Sequence, residues 1–192
     1  NMVTVGVVLG AGGQHAAAYH AGALDGLQTA TGWDPRTANV IVGTSAGALV
    51  AISLRAGLSA TDMAAYHEGN SRSLEAQAIE SRVTSPLHIP DPSLRSRSRR
   101  PANLQLLVKE LFIGGRPRPM VAMAGLLPEG EEDGSSLARR AEQIHPGPWP
   151  TEATWICALD LRSGNRIVFG RDDIETSVGP AVQASTAMPG YF

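Results

Sequence analysis

Apolar runs alternate with helical patterns in the first third of the chain. Residues 3–9 are nearly all apolar, which is typical of a strand buried on both faces of a parallel sheet. A glycine loop follows, and then an Ala-rich stretch with helical spacing that extends to about Leu27. A second short apolar run, residues 40–42, precedes a helical stretch over residues 48–57. This β-α-β-α order predicts an α/β fold with parallel strands and right-handed crossovers.

The pattern is more mixed after residue 58. Ser59 is a good N-cap for a helix over residues 60–67. Residues 71–100 are rich in Pro, Ser and Arg, a composition typical of a long loop. The remaining predicted elements are helices over 103–112, 119–127 and 177–187, a polar surface loop over 129–136, and strands over 154–161 and 166–169.

The composition indicates an ordinary globular domain. The chain has 192 residues, enough for one domain with a sizeable core, and 43% of them are hydrophobic. Its formal net charge of −2 offers no electrostatic reason to expect a nucleic-acid partner.

Cysteine usage and targeting signals suggest where the protein works. Cys157 is the only cysteine, so the chain forms no internal disulfide. Residues 2–9 lack the basic flank of a signal peptide, and no apolar run reaches the roughly 18 residues of a membrane span. We therefore expect a cytoplasmic protein, with peripheral contact at a membrane surface left open.

The most informative motif is Gly-Thr-Ser-Ala-Gly at residues 43–47. It stands between a predicted strand and a predicted helix, which is the context of a nucleophile elbow. The start of the helix would place free N–H groups beside the hydroxyl of Ser45. The motif thus predicts Ser45 as the nucleophile of a serine hydrolase or acyltransferase.

The upstream glycine loop, residues 10–13, suggests a complementary role. Backbone N–H groups in such a loop can stabilise the oxyanion of an acyl transfer by about 3–4 kcal/mol per donor. Gly12 and Gly13 are the predicted donors of this oxyanion hole. The loop could also be a dinucleotide fingerprint, but His15 stands at its third-glycine position and no acidic residue ends the second strand.

A nucleophilic serine needs a base. Among the histidines that follow Ser45, His145 is the best candidate, with Asp91 or Asp133 to orient it, although a loop histidine without a catalytic task is the simpler interpretation. His15 and His20 lack the i, i+4 spacing of a helical metal pair. We expect no metal and no cofactor.

Four segments of the chain resemble patatin-like phospholipases. Residues 9–24 are similar to the oxyanion segment of that family, and Gly-Thr-Ser-Ala-Gly follows at the expected distance. Residues 158–164, together with Phe169, and residues 184–192 are similar to two later segments. The four occur in family order and span almost the whole chain.

The resemblance implies a three-layer α/β/α fold with a mainly parallel central sheet. It also implies a Ser–Asp dyad that hydrolyses acyl esters of lipids without metal or histidine, with Ser45 as nucleophile and Gly12 and Gly13 in the oxyanion hole. Two family glycines are Ala11 and Ala16 here, and the usual basic residue is His15.

The catalytic aspartate of the family lies in an Asp-Gly-Gly or Asp-Gly-Ala motif shortly after the Ala-Ser-x-Ala-x-Pro segment. The sequence reaches Phe192 without such a motif. We therefore expect residues 1–192 to form a patatin-like domain that is C-terminally incomplete, with its aspartate after Phe192. Asp160 matches a different family position and is not assigned to the dyad.

Residues 71–101 lie where a lid or an acyl-chain entrance is expected, because long loops often border a site. The arginines of this segment could contact anionic lipid headgroups, although a solvated loop is the simpler interpretation. They are Arg95, Arg97, Arg99 and Arg100. The expected partner is a lipid or another acyl ester, and the non-enzymatic alternative is a lipid-binding module without catalysis.

Overall fold

The structure is a computed structural model that describes residues 4–85 and 133–188, and six single residues between these ranges. The strands are β1 (Gly6–Leu9), β2 (Val40–Gly43), β3 (Ala153–Asp160) and β4 (Asn165–Phe169). The helices are α1 (Gly13–Thr31), α2 (Ala46–Arg55), α3 (Ala60–Glu68), α4 (Leu74–Glu80), α5 (Ser135–Ile144) and α6 (Val178–Thr186), with a 3-10 turn at Pro35–Thr37.

The four described strands form one sheet in the order β1-β2-β3-β4. β1, β2 and β3 are parallel, and β4 pairs with β3 as an antiparallel hairpin. The predicted α/β class with a mainly parallel sheet is therefore confirmed. Leu9 pairs with Gly43, so the carboxyl ends of β1 and β2 lie side by side. The two turns that leave these strands are consequently neighbours.

Helix α2 is the centre of the core. Seven of its ten residues are buried, and they contribute to both of the hydrophobic clusters in the described structure. One cluster joins α2 to α5, α6 and the hairpin, and the other joins it to α1, α3, β1 and β2. This helix is apolar all round because other elements pack on most of its surface. The turn that precedes it is thereby attached to a rigid element.

Arg55 fixes the far end of α2 to the sheet. Its guanidinium donates hydrogen bonds to the hydroxyl of Thr154 at 2.9 Å and to the carbonyls of Ala38 and Ala153 at 3.0 Å each. These bonds satisfy a cation that is partly enclosed by protein, so α2 is anchored at the end remote from its first turn.

Two helices overlap segments that the sequence indicated as loops. α4 occupies part of the segment 71–100, and Ser73 caps it by accepting a hydrogen bond from the N–H of Ala76. α5 begins at Ser135, so the surface loop predicted for 129–136 is wrong at its end. The spacing of Leu137, Ala141 and Ile144, one face of a helix, is the signal that the prediction overlooked.

Several predictions fall wholly or mainly outside the described residues. They are the helices over 103–112 and 119–127, the segment 86–101 of the lid hypothesis with its four arginines, and Asp91. Within the described ranges, every helix is too short or too polar to cross a lipid bilayer.

Candidate active site

Ser45 occupies a strained turn between β2 and α2. Its backbone has φ 55° and ψ −118°, and it is the only non-glycine residue with positive φ in the described part of the chain. Such a conformation costs about 1–3 kcal/mol and persists only where surrounding contacts enforce it. The geometry is that of the strand–turn–helix elbow expected from the motif.

The two glycines of the motif are required by packing. A β-carbon on Gly43 would lie 2.6 Å from the carbonyl oxygen of Gly47 and 2.7 Å from the Cα of Ala48. A β-carbon on Gly47 would lie 2.5 Å from the carbonyl carbon of Leu9. All of these neighbours are backbone atoms, which cannot move aside without shifting β1 or α2. The motif therefore allows the elbow to pack directly against β1.

Hydrogen bonds hold the elbow on three sides. The N–H of Thr44 donates to the carbonyl of Leu9 at 3.0 Å, and the carbonyl of Ser45 accepts from the N–H of Ala48 at 2.9 Å. The N–H of Ser45 donates to the hydroxyl of Ser185, in α6, at 2.8 Å. Ser185 lies in a segment that the sequence singled out, but no local pattern linked it to the elbow.

The glycine loop lies beside this elbow at the same edge of the sheet. Gly12 has φ 143° and Gly13 has φ 62°, conformations that an L side chain rarely adopts. α1 begins at Gly13 without a side-chain cap, and residues 10–13 are exposed. The first N–H groups of a helix have no acceptor within it, so this turn offers donors and a positive dipole end to an anion.

His20 anchors the loop from within α1. Its Nε2 lies 2.9 Å from the carbonyl oxygen of Gly10, and the ring of Tyr19 packs edge-on against the imidazole at 5.9 Å. His15, by contrast, is exposed. In the described residues, no three His, Cys, Asp or Glu side chains are grouped so that they could hold a metal ion.

Asp133 and His145 lie at opposite ends of α5. Asp133 accepts hydrogen bonds from the hydroxyl of Ser135 at 2.6 Å and from its N–H at 2.9 Å, and these bonds lower the pKa of the Asp133 carboxyl. His145 follows the last residue of this ten-residue helix, which spans about 15 Å. Asp133 therefore does not orient His145, whose buried Nδ1 has no hydrogen-bond partner in the described structure.

Asp160 serves the β3–β4 turn. Its carboxylate accepts from the hydroxyl of Ser163 at 2.6 Å and from the N–H of Arg162 at 3.0 Å. These hydrogen bonds lower the pKa of Asp160. The carboxylate is thus engaged in forming the hairpin.

A cavity of about 390 Å³ opens between α1, α2, α3, α4 and α5. Gln14, which directly follows Gly13, and Leu49, one helical turn after Ser45, both line it. Much of the remaining wall is apolar, including Ala17, Met63 and Val83. Its volume falls in the range of ligand pockets, and its walls begin at the first turns of the two helices that border the candidate site.

Comparison with known proteins gives one finding. The family model described as Patatin-like phospholipase matches residues 7–192, nearly the whole chain. No curated protein and no solved structure gave a significant match. The matched range contains the glycine loop, the Ser45 elbow and α6, and the mainly parallel sheet agrees with an α/β/α fold. The chain therefore belongs to the patatin-like phospholipase family.

Proposed function

We propose that this protein is a lipid acyl hydrolase that cleaves carboxylic esters through the hydroxyl of Ser45. The observation that carries the proposal is the strained backbone of Ser45, at φ 55° between two sterically required glycines. Strain at a single non-glycine residue is a feature of functional sites, where the surrounding fold maintains it. The family match adds the substrate class, since lipid esters are what these phospholipases hydrolyse.

In this reaction Ser45 Oγ attacks the acyl carbonyl carbon while a base takes the hydroxyl proton. The tetrahedral intermediate expels the alcohol, which receives that proton, and leaves an acyl group on Ser45 Oγ. Water then attacks the acyl-enzyme and releases the carboxylic acid. The base is the aspartate that the family resemblance places after Phe192.

The oxyanion of the intermediate is stabilised by N–H groups of Gly12 and Gly13. Each such donor contributes about 3–4 kcal/mol to the transition state of acyl transfer. The exposed, uncapped start of α1 supports this assignment. The N–H of Ser45 is not part of the set, because it already donates to Ser185.

The cavity beside α1 and α2 is the proposed site of the acyl chain. An apolar chain gains about 0.8 kcal/mol for each methylene group that it buries, and the apolar part of the wall, which includes Ala17, Met63 and Val83, offers such contacts. The lid hypothesis for residues 71–101 and the headgroup hypothesis for its arginines remain predictions.

Fluorophosphonate labelling with peptide mass analysis tests the proposal. We expect a single adduct on Ser45 that is absent in Ser45→Ala and retained in Ser81→Ala, which removes an exposed hydroxyl on the α4 side of the molecule. An adduct that persists in Ser45→Ala would contradict the assignment. Absence of any adduct, together with retained binding to phospholipid vesicles, would instead favour a lipid-binding module.

The alternative base, His145, is tested by the same reagent. A Ser–His enzyme requires a nearby group to orient the imidazole, and Asp133 is engaged at the other end of α5. His145→Gln should therefore label at the rate of the wild type. A strong loss of labelling in that variant would shift the proposal to a Ser–His esterase or acyltransferase.

A further inference from the structure

The hydroxyl of Ser185 connects the elbow to the central sheet. Its oxygen accepts the hydrogen bond from the N–H of Ser45 at 2.8 Å, and its own hydrogen is donated to the carbonyl of Cys157, in β3, at 2.7 Å. Ser45 and Ser185 are 140 residues apart in sequence. The hydroxyl is half-buried, at the end of α6.

The two partners fix the orientation of this hydroxyl. A backbone N–H can only donate and a carbonyl oxygen can only accept, so the hydroxyl hydrogen must point to Cys157 and a lone pair must point to Ser45. Ser185 is therefore not free to exchange protons with a substrate. It also keeps the N–H of Ser45 turned away from any oxyanion.

The two hydrogen bonds of Ser185 form a relay from the N–H of Ser45 to the carbonyl of Cys157, and this relay takes the place of a hydrogen bond that the sheet lacks. The β2–β3 ladder ends at the pair Gly43 and Ile156. Continuing this register by one residue places Thr44 opposite Cys157, so the N–H of Ser45 and the carbonyl of Cys157 are the next donor and acceptor of a parallel ladder. At this point the chain leaves the sheet for the elbow. The Ser185 hydroxyl joins the two groups across the resulting gap.

We propose that Ser185 is a positioning residue that holds Ser45 in its strained conformation by coupling the elbow backbone to β3. The proposal rests on the proposed function only for its effect on reactivity, because the hydrogen-bond relay itself requires no substrate. The strained φ of Ser45 needs contacts that enforce it, and Ser185 supplies the one contact to its N–H.

Three variants distinguish the positioning of Ser45 by Ser185 from a contribution of Ser185 to the stability of α6. Ser185→Ala removes the relay and leaves two half-buried backbone groups unsatisfied. Ser185→Thr keeps the hydroxyl. Thr186→Ala is the matched control, because the Thr186 hydroxyl donates only within α6, to Val182 and Gln183.

The expected results concern both reactivity and amide exchange. The rate constant for fluorophosphonate labelling of Ser45 should fall about tenfold or more in Ser185→Ala, the effect of leaving buried polar groups unpaired. With an ester substrate, kcat should fall while KM changes little. Ser185→Thr should restore most of the rate, and Thr186→Ala should stay within about twofold of the wild type. In amide-resolved hydrogen exchange by NMR, the Ser45 amide should be protected in the wild type and lose protection in Ser185→Ala.

Three outcomes would overturn the proposal: a Ser45 amide that is unprotected in the wild type, a Ser185→Ala protein that labels at the wild-type rate, or a folded Ser185→Thr that restores nothing. If Ser185→Ala does not fold, the proposal is still tested by the protection of the Ser45 amide in the wild type and by the labelling rate of Ser185→Thr. If Ser45 is unreactive in every variant while its amide protection depends on Ser185, the proposed function fails and the positioning of the elbow stands.

Discussion

Gly47 packs against the carbonyl group of Leu9 so closely that no β-carbon fits between them. This contact fixes the first turn of α2 on the end of β1, beside the start of the glycine loop. The distance between the proposed nucleophile and the proposed oxyanion donors thus depends on a residue with no side chain. From the same contact we predict how a side chain at position 47 would change the stability of the fold.

Gly47→Ala should strongly destabilise the fold. The added methyl group would collide with backbone atoms of β1, and overpacking of this kind costs about 1–3 kcal/mol or more. Gly22→Ala is the matched control, because a β-carbon there meets nothing within 4 Å and alanine favours a helix by about 0.5–1 kcal/mol over glycine. Urea unfolding of both variants measures the difference. Equal free energies of unfolding would contradict the close approach.

Gly12→Ala should impair catalysis through the oxyanion loop. Gly12 has φ 143°, and a β-carbon there would lie 2.7 Å from the Cβ of Ala16. The loop must therefore shift, and loss of one oxyanion donor lowers kcat by about 100-fold or more. Gly26→Ala, also near open space in α1, is the control and should keep the kcat of the wild type. An unchanged kcat in Gly12→Ala would remove Gly12 from the proposed donors.

Filling the cavity should change the preferred length of the acyl chain. Ala17→Phe places a ring in the cavity wall on α1, whereas Ala30→Phe places one on an exposed part of the same helix. Each methylene that can no longer be buried costs about 0.8 kcal/mol, or about fourfold in kcat/KM. We expect Ala17→Phe to lose activity on long-chain p-nitrophenyl esters but not on the acetate. A uniform loss on all chain lengths would argue against acyl binding in this cavity.

Asp34 should contribute acid-sensitive stability. Hydrogen bonds from the Arg36 side chain lower its pKa, with smaller contributions from the Arg36 N–H and charge, against an opposing effect of burial. Nε and Nη2 of Arg36 both donate to the Asp34 carboxylate, the latter at 2.7 Å, and Nη1 donates to the carbonyl of Gly57 at 3.0 Å.

The sign of the pH dependence follows from this lowered pKa. A carboxyl with a lowered folded-state pKa contributes its stability above the unfolded value of about 3.9 and loses it as pH falls through the folded value. Asp34→Asn should therefore destabilise the protein at neutral pH, and this penalty should shrink as the pH falls below about 3.9 and through the lowered pKa of the folded state. Urea unfolding across this range, with the exposed Asp173→Asn as control, measures it. An Asp34→Asn penalty that does not shrink in acid would contradict the linkage.

Those features of the candidate site that depend on residues close together in sequence were predicted. Residues 43–47 combine an apolar run, two glycines and a helical pattern within a short stretch, and the structure has the elbow there. The cap at Ser59 was also predicted, because capping depends on neighbouring backbone groups. α5 was not predicted although its apolar residues have helical spacing, because the polar residues 129–136 before it have the composition of a loop.

Local sequence patterns were enough to predict the β-α-β-α order of the first third of the chain, the elbow and the glycine loop, because steric rules for glycine and the period of apolar residues act over a few positions. Only the folded chain brings Ser185 to Ser45, His20 to the carbonyl of Gly10, and residues of five helices to the wall of one cavity. These contacts join residues that are close only after the sheet has set the register of β1, β2 and β3. No local pattern encodes such distances, since they follow from how whole elements pack.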